Sequence, residues 1–368
     1  MFDCPQSHCG HDTDAFLRGG GQYELLNVET PNYALRSDDR NQLFDPIANE
    51  LLSTRSMQRL AHIGFLGAID HFRRGNGKEP HRRKHNRLEH SVGVALLAQR
   101  FALSAEISQM DRLKLLAASL LHDIGHGPLS HTLEPVFEEA LGIDHHRATR
   151  SIVLGNSILG TEILDILKRH QLDPEEIMDL IDSRYDGSFG YLFSGKINLD
   201  TLEGITRCRA IVGRRPAFGT ALSVVERWAQ SGQSKLPKAD FDEFWKLKHN
   251  VYALLINSPT GLVMDTVAQA WARTNLAQLD TLDFFMDERQ LRKKYPELFL
   301  LINLAASDRG SLITRLPAKW LNAEVQARRR RYYVDESVDL ISLTDMTLRY
   351  KHKKNSWTVS LGELLGGV

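Results

Sequence analysis

The chain has 368 residues, 42% of them hydrophobic and 25% charged, enough for a globular protein with a core that needs no disulfides. Its 46 Lys and Arg balance 46 Asp and Glu, which excludes a uniformly basic nucleic-acid coat and an acidic tail protein but leaves local patches open. Three cysteines, Cys4, Cys9 and Cys208, are too few for a disulfide framework, and neither a signal-peptide pattern nor an 18-residue apolar run is present, so the expected setting is cytoplasmic with no membrane partner.

Residues 1–40 are rich in Gly and Asp and read as a loose lead-in, with Cys4, His8, Cys9 and His11 at a spacing that fits no common zinc finger. Over 44–68, apolar residues such as Phe44, Ile47, Leu51, Leu60 and Ile63 recur at helical steps, and Thr54 is a natural cap for a second piece. The stretch 71–87 holds seven Lys or Arg against Glu79, broken by Gly75, Gly77 and Pro80, and is a basic loop suited to anions. Residues 88–104 form a helix with apolar residues on several sides. Residues 110–123 form another, with Asp111 as its expected N-cap, ending at Ile124-Gly125 before a Gly-Pro turn. Further helices are expected over 146–154, from Asp173-Pro174-Glu175-Glu176 onward, over 200–212, and over 241–278 with a break at 257–261. Tyr332 to Ser360 changes character and reads as two or three short strands.

Histidine is the unusual residue: ten of the fifteen fall between His62 and His146. The short connection at 105–109 makes its two flanking helices antiparallel. The start of the first, with His90, then lies beside the end of the second, with His122 and Asp123. Two imidazoles and a carboxylate suit a divalent ion such as Mn²⁺, Fe²⁺, Ni²⁺ or Zn²⁺, with Mg²⁺ also open, and a further acid would complete the set. A lone buried histidine is usually structural. The run Glu89-His90, His122-Asp123, His126, His131 is not explained that way, because unpaired buried polar groups cost free energy.

The segments RLEHSVGVALLAQRFA and LLHDIGHGPLSHTLE, with the upstream DPIANELLSTRSMQRLAHIGFLGA, resemble the HD-domain metal-dependent phosphohydrolases, most of all the deoxynucleoside triphosphate triphosphohydrolases. The resemblance is strong over 44–155, moderate to 215, weak at 240–300, and absent at both ends. It implies that His90, His122, Asp123 and a distant acid bind the metal. Asp200 matches that acid best, with Asp182 and Asp186 as rivals. It implies that Arg87 meets substrate phosphates, that His126 stands beside the scissile phosphate, that Glu134 orients His126, and that His145 or His146, register favouring His145, is a further active-site residue. His131 is expected to be structural. The implied reaction is metal-assisted hydrolysis of a dNTP at its α-phosphate to a deoxynucleoside and triphosphate.

The family's sugar-reading Tyr and Asp, four and eight positions after its distant acid, fall here on Gly204 and Cys208, and its later His-Lys pair falls on Ser258-Pro259. A second reading is therefore a phosphatase or phosphodiesterase on another nucleotide or phosphoester, in which His145 or His146 and His170 recruit a second metal. A third is a non-catalytic nucleotide or nucleic-acid sensor using the basic segments 73–87 and 328–331. The expected fold is mainly α: a lead-in over 1–40, an HD helical bundle over 41–215, a helical extension over 216–300, and a small mixed α/β or β segment over 301–368. The resemblance further implies assembly as a homo-oligomer.

Overall fold

The computed structural model describes residues 45–71, 85–187, 189–209, 212, 221–231, 236–322 and 324–366. The N-terminal Cys/His group and most of the basic loop at 71–87 lie outside these residues.

The chain folds as a mainly helical HD-domain bundle carrying a small C-terminal β-hairpin. Helix α1 (Pro46–Ser53) opens with proline in its first turn. Thr54 follows it and caps the short helix Arg55–Arg59, accepting from the Met57 N–H at 3.3 Å. Helix α2 (Arg87–Ser104) is buried along most of its length, which suits its apolar residues on several sides and makes it the central element. Asn86 caps it by accepting from the Glu89 N–H at 2.8 Å. Helix α3 (Gln109–Leu121) packs against α2. Its cap is Ser108, not Asp111: the serine hydroxyl accepts from the Asp111 N–H at 3.1 Å and donates to the Asp111 carboxylate at 2.8 Å. The two form a reciprocal pair, so the cap stands three positions before the expected one and the helix starts at Gln109.

Helix α4 (Glu134–Leu141) ends at Gly142, whose φ of 67° is the left-handed cap conformation. Helix α5 (His145–Val153) starts on the Asp144 cap, and the expected Asp173 cap opens the helix Pro174–Ile181. Helix α6 (Leu199–Cys208) has a capping box between Asn198 and Thr201 and packs on α2. Helix α7 (Lys238–Val251) runs into a π-helical turn at Tyr252–Ile256. Helix α8 (Pro259–Thr274) then restarts on the Ser258 cap, at the expected break.

The C-terminal strands are longer than the sequence suggested. Strand β1 (Glu324–Val334) pairs antiparallel with β2 (Tyr350–Ser360), in register from Glu324 opposite Ser360 to Val334 opposite Tyr350. A helix, Leu343–Arg349, lies between them. The ribbon docks on α7, where the Trp245 indole N–H donates to the carbonyls of Tyr333 (3.1 Å) and Lys351 (3.2 Å), one on each strand. Buried Arg349 donates to both oxygens of Asp242 at 2.8 and 2.6 Å, and the Tyr350 hydroxyl joins them at 3.0 Å. Among the described residues, no helix is long and apolar enough to cross a membrane.

Candidate metal centre

Antiparallel packing of α2 and α3 brings the first turn of one beside the last turn of the other. The Nε2 atoms of His90 and His122 lie 3.2 Å apart. Asp200, from the first turn of α6, places Oδ1 at 3.0 Å from His90 Nε2 and 3.9 Å from His122 Nε2. Asp123 reaches both imidazoles at 3.5 Å. The ligand atoms of His90, His122 and Asp200 cluster within 4.8 Å, with Asp123 alongside turning a different oxygen to each imidazole, and Asp200 is the distant acid that joins them. Its rival Asp182 pairs instead with Arg150 and Arg184, and Asp186 is exposed.

This donor set fits a divalent cation. Nδ1 of His122 faces the Ser119 carbonyl at 2.9 Å, an atom that can only accept, so Nδ1 carries the proton and Nε2 presents a lone pair. His90 is fixed in the same way by the Glu203 carboxylate at 2.5 Å from its Nδ1. Two imidazole nitrogens and two carboxylates gathered here call for positive charge, which without a bound cation a second proton on His90 supplies. Burial pulls the His90 imidazole down, yet Glu203, Asp200 and Asp123 outweigh it and hold it up at about 9. Burial also raises the Asp123 carboxyl, but His122, Arg87 and His126 keep it well below the usual carboxylate range.

Glu203 is a functional residue that the sequence reading missed. It is fully buried on α6, one turn after Asp200, and is held by Arg207 one turn further on while it orients His90. The acid-x-x-acid-x-x-x-Arg spacing of 200, 203 and 207 was the available signal. Gly93 leaves room for this: a Cβ there would stand 2.3 Å from the Glu203 carboxylate, so a larger residue would displace that group.

Arg87 contacts the metal cluster directly. Its guanidinium donates to Asp123 and, at 3.0 Å, to the Ser130 hydroxyl, and it lies over the Phe65 ring at 5.0 Å. Phe65 is placed by its N–H to the His85 carbonyl at 3.1 Å and also packs on His90 with ring centres 4.7 Å apart. A Cβ at Gly204 would meet the Phe65 ring at 3.0 Å. Phe65 therefore occupies the space that a larger side chain at 204 would need.

A second cluster adjoins the first. The donor atoms of His126, His131, Glu134 and His145 lie within 4.8 Å of one another. The expected contact of Glu134 with His126 is replaced by others. Glu134 accepts from His145 Nδ1, from the His145 backbone N–H at 3.2 Å and from His131 Nδ1 at 2.8 Å. His126 stacks on His145 with ring centres 4.2 Å apart, and its buried Nε2 has no hydrogen-bond partner, 3.4 Å from Asp123. Burial and Arg87 push His126 well below the ordinary histidine range, so its ring is neutral. His131, expected to be structural, is held at Nδ1 by Glu134 while its side chain is 62% exposed, a histidine–carboxylate pair with a free outer nitrogen. Of the two neighbouring histidines, His145 is the one in the cluster; His146 is exposed. His170 pairs with Glu50 at 2.8 Å and takes no part in either cluster, which removes it as a second-metal ligand.

One more feature adjoins Asp200. Helix α7 lies between α6 and β1, and its Lys248 is 8% exposed, with the ammonium over the rings of Trp245 (4.9 Å) and Tyr332 (5.3 Å). It forms no hydrogen bond or ion pair with any described residue. Burial lowers its pKa to about 8; Asp200 opposes that, and Arg330 and Lys196 add to it. Arg330 and Lys196 are thus like charges near it, and the same cations with Lys248 help keep His352 neutral after burial has lowered its pKa.

Residues 87–193 match the family model described as HD domain. The Bacillus subtilis (strain 168) protein YwfO, named as uncharacterized, is 33% identical over 170 residues, 44% of this chain and 36% of that protein. The deoxynucleoside triphosphate triphosphohydrolase SAMHD1 of Bos taurus is 30% identical over 156 residues, 39% of this chain and 25% of that protein. The matched segments thus span about a third or less of the curated relatives. A hypothetical protein from Aquifex aeolicus, solved by crystallography, superposes with a TM-score of 0.61 over 88% of this chain and 96% of its own, at 16% identity, a likeness of fold.

Proposed function

We propose that the chain is a metal-dependent phosphohydrolase acting on nucleoside polyphosphates, with dNTP hydrolysis to deoxynucleoside and triphosphate as the leading reaction. The observation that carries this reading is the paired Nε2 atoms of His90 and His122 at 3.2 Å, each with its Nδ1 held by an outer acceptor, facing Asp123 and Asp200. These four residues would hold the ion. Once bound, a divalent ion there supplies Lewis acidity toward a phosphoryl group and lowers the pKa of water toward neutrality.

The protein's own groups do the rest. Arg87 sets a permanent positive charge beside Asp123, where a phosphoryl group gains negative charge. Neutral His126 offers its unpartnered Nε2 toward the same space. In the His131–Glu134 pair the carboxylate holds the proton on Nδ1 and burial keeps the ring neutral, so the exposed nitrogen presents a lone pair that can take a proton from an attacking water. His145 shares that carboxylate and braces His126 from the other face. Lys248, buried along most of its length and without an ion-pair partner among the described residues, offers a cation near Asp200 to phosphates beyond the reacting one, which favours a polyphosphate over a monophosphate. The likeness to SAMHD1, a deoxynucleoside triphosphate triphosphohydrolase, supports the dNTP assignment.

Gly204 and Cys208, which lack the groups to read a deoxyribose, favour a second reading: hydrolysis of another phosphoester in the same site. The test is incubation of Mn²⁺-loaded protein with dNTPs, NTPs, nucleoside monophosphates and cyclic dinucleotides, with products identified by mass. Deoxynucleoside plus intact triphosphate is the expected result. Orthophosphate from monophosphates, or opened cyclic dinucleotides, would transfer the site to the second reading. Asp123→Asn is expected to lose both metal retention and turnover. Full activity after metal removal would overturn the proposal.

A further inference from the structure

The two strands of the C-terminal ribbon hold seven Lys or Arg (328–331, 351, 353 and 354) against a single acid, Glu324, in a chain whose charges otherwise balance. Side chains alternate between the faces of a strand, and directly opposed residues share a face. Tyr332 is buried against Trp245, which makes its face the inner one. The outer face is then Arg329, Arg331 and Tyr333 on β1 with Lys351, Lys353, Asn355 and Trp357 on β2. Its two ends are aromatic: Tyr333 is 50% exposed and Trp357 37% exposed, with Arg329 over the Trp357 ring at 5.6 Å.

Arg331 stands directly opposite Lys353, a like-charge pair that weakens an isolated ribbon. Lys351 pairs with Asp335 at 2.7 Å, while Arg329, Arg331 and Lys353 pair with no acid among the described residues. Such a face is held in readiness for negative charge. The exposed rings at its ends need flat apolar partners as well, and unpaired bases supply them where a duplex hides them. The ribbon is also the right form: a two-stranded element docked through Tyr332 and Tyr350, whose outer face is open from Arg329 to Tyr333 beyond the buried Ala327 opposite Trp357.

We propose that this outer face binds single-stranded nucleic acid, with Arg329, Arg331 and Lys353 on phosphates and with Trp357 and Tyr333 stacking on bases. The surface is separate from the inner face, whose Arg330 and His352 turn toward Lys248, and it does not depend on what the metal centre hydrolyses.

The test uses the full chain and a fluorescent 20-nucleotide oligo(dT), with binding read by anisotropy over a range of salt. Wild type is expected to bind with an affinity that falls steeply with salt. The double variant Arg331→Gln/Lys353→Gln should bind at least tenfold more weakly and lose about 1.4 from the log–log salt slope, at about 0.7 per phosphate contact. Trp357→Ala should lose between about fivefold and a hundredfold in affinity with the slope unchanged. All three residues are exposed, so the fold is not at stake. Absence of binding at low salt, binding indifferent to these substitutions, equal competition by duplex DNA, or preference for anionic lipid vesicles over the oligonucleotide would each overturn the proposal.

Discussion

Glu203 acts on the metal cluster without being one of the four residues that face it. Its carboxylate fixes the His90 tautomer, and in metal sites such an outer partner is worth about 10- to 100-fold in affinity. Glu203→Gln should lower metal affinity by that factor in a calorimetric titration, with the helical signal retained. An unchanged affinity would leave Glu203 as a counter-charge for Arg207 only. A different carboxylate reports on pH. Asp265 on α8 accepts from the Thr132 hydroxyl at 2.6 Å, and burial, opposed by that bond, raises its pKa to about 6. The folded state thus holds this proton more tightly than the unfolded chain does. The group's contribution to stability is fully present below pH 4 and is lost as pH rises through about 6. A shift of this size bounds the cost at about 3 kcal/mol, and the position is only half-buried, so about 1–2 kcal/mol is the expectation. Asp265→Asn should therefore be more stable than wild type by about that amount at pH 7.5, with the two unfolding curves converging near pH 4.

At the scale of elements, the metal centre rests on two helix contacts of different legibility. The α2–α3 contact follows from a five-residue connection and two helices of similar length, so His90, His122 and Asp123 could be placed together from the sequence. The α2–α6 contact joins residues more than a hundred positions apart and has no local signal beyond the spacing of Asp200, Glu203 and Arg207. Asp200 was reached through resemblance, and Glu203 was not reached. Lys248 was hidden for the same reason: a lysine on an amphipathic helix reads as solvated until α6 and β1 are seen on either side of it. The start of α3 was misplaced because Ser108 and Asp111 both suit a cap, and only their reciprocal bonding shows which one is outside the helix. The α2–α6 contact also makes a prediction. A Cβ at position 93 would stand 2.3 Å from the Glu203 carboxylate, so Gly93→Ala must displace that group or separate the helices. It should cost about 1–3 kcal/mol in denaturant unfolding and weaken metal binding together. Loss of stability alone would mean that Glu203 finds His90 by another path.

Across the whole molecule, α7 joins the HD-domain bundle to the ribbon, touching α6 on one side and β1 on the other. The strands were only partly legible because Arg328 to Arg331 reads as a solvated charge run. The structure places that run in the middle of β1. What keeps so basic a ribbon docked is a set of buried polar contacts: Trp245 to both strands and the two-pronged bond of Arg349 to Asp242. Arg349 is 2% exposed, so removing its partner leaves a buried cation unpaired, a change that costs about 3–5 kcal/mol. The cost need not unfold the bundle, because releasing the ribbon to solvent rehydrates the arginine. Asp242→Ala should accordingly speed hydrogen exchange across residues 324–360 while the amides of α2 and α3 keep their protection. The same variant withdraws Arg330 and His352 from Lys248. If those groups help to hold a polyphosphate, KM for the substrate found in the product screen should rise several-fold with kcat nearly preserved. Faster exchange in the ribbon with KM unchanged would separate the two halves of the molecule. Lys248 and Lys196 would then be the only members of that cationic group left to serve the metal centre.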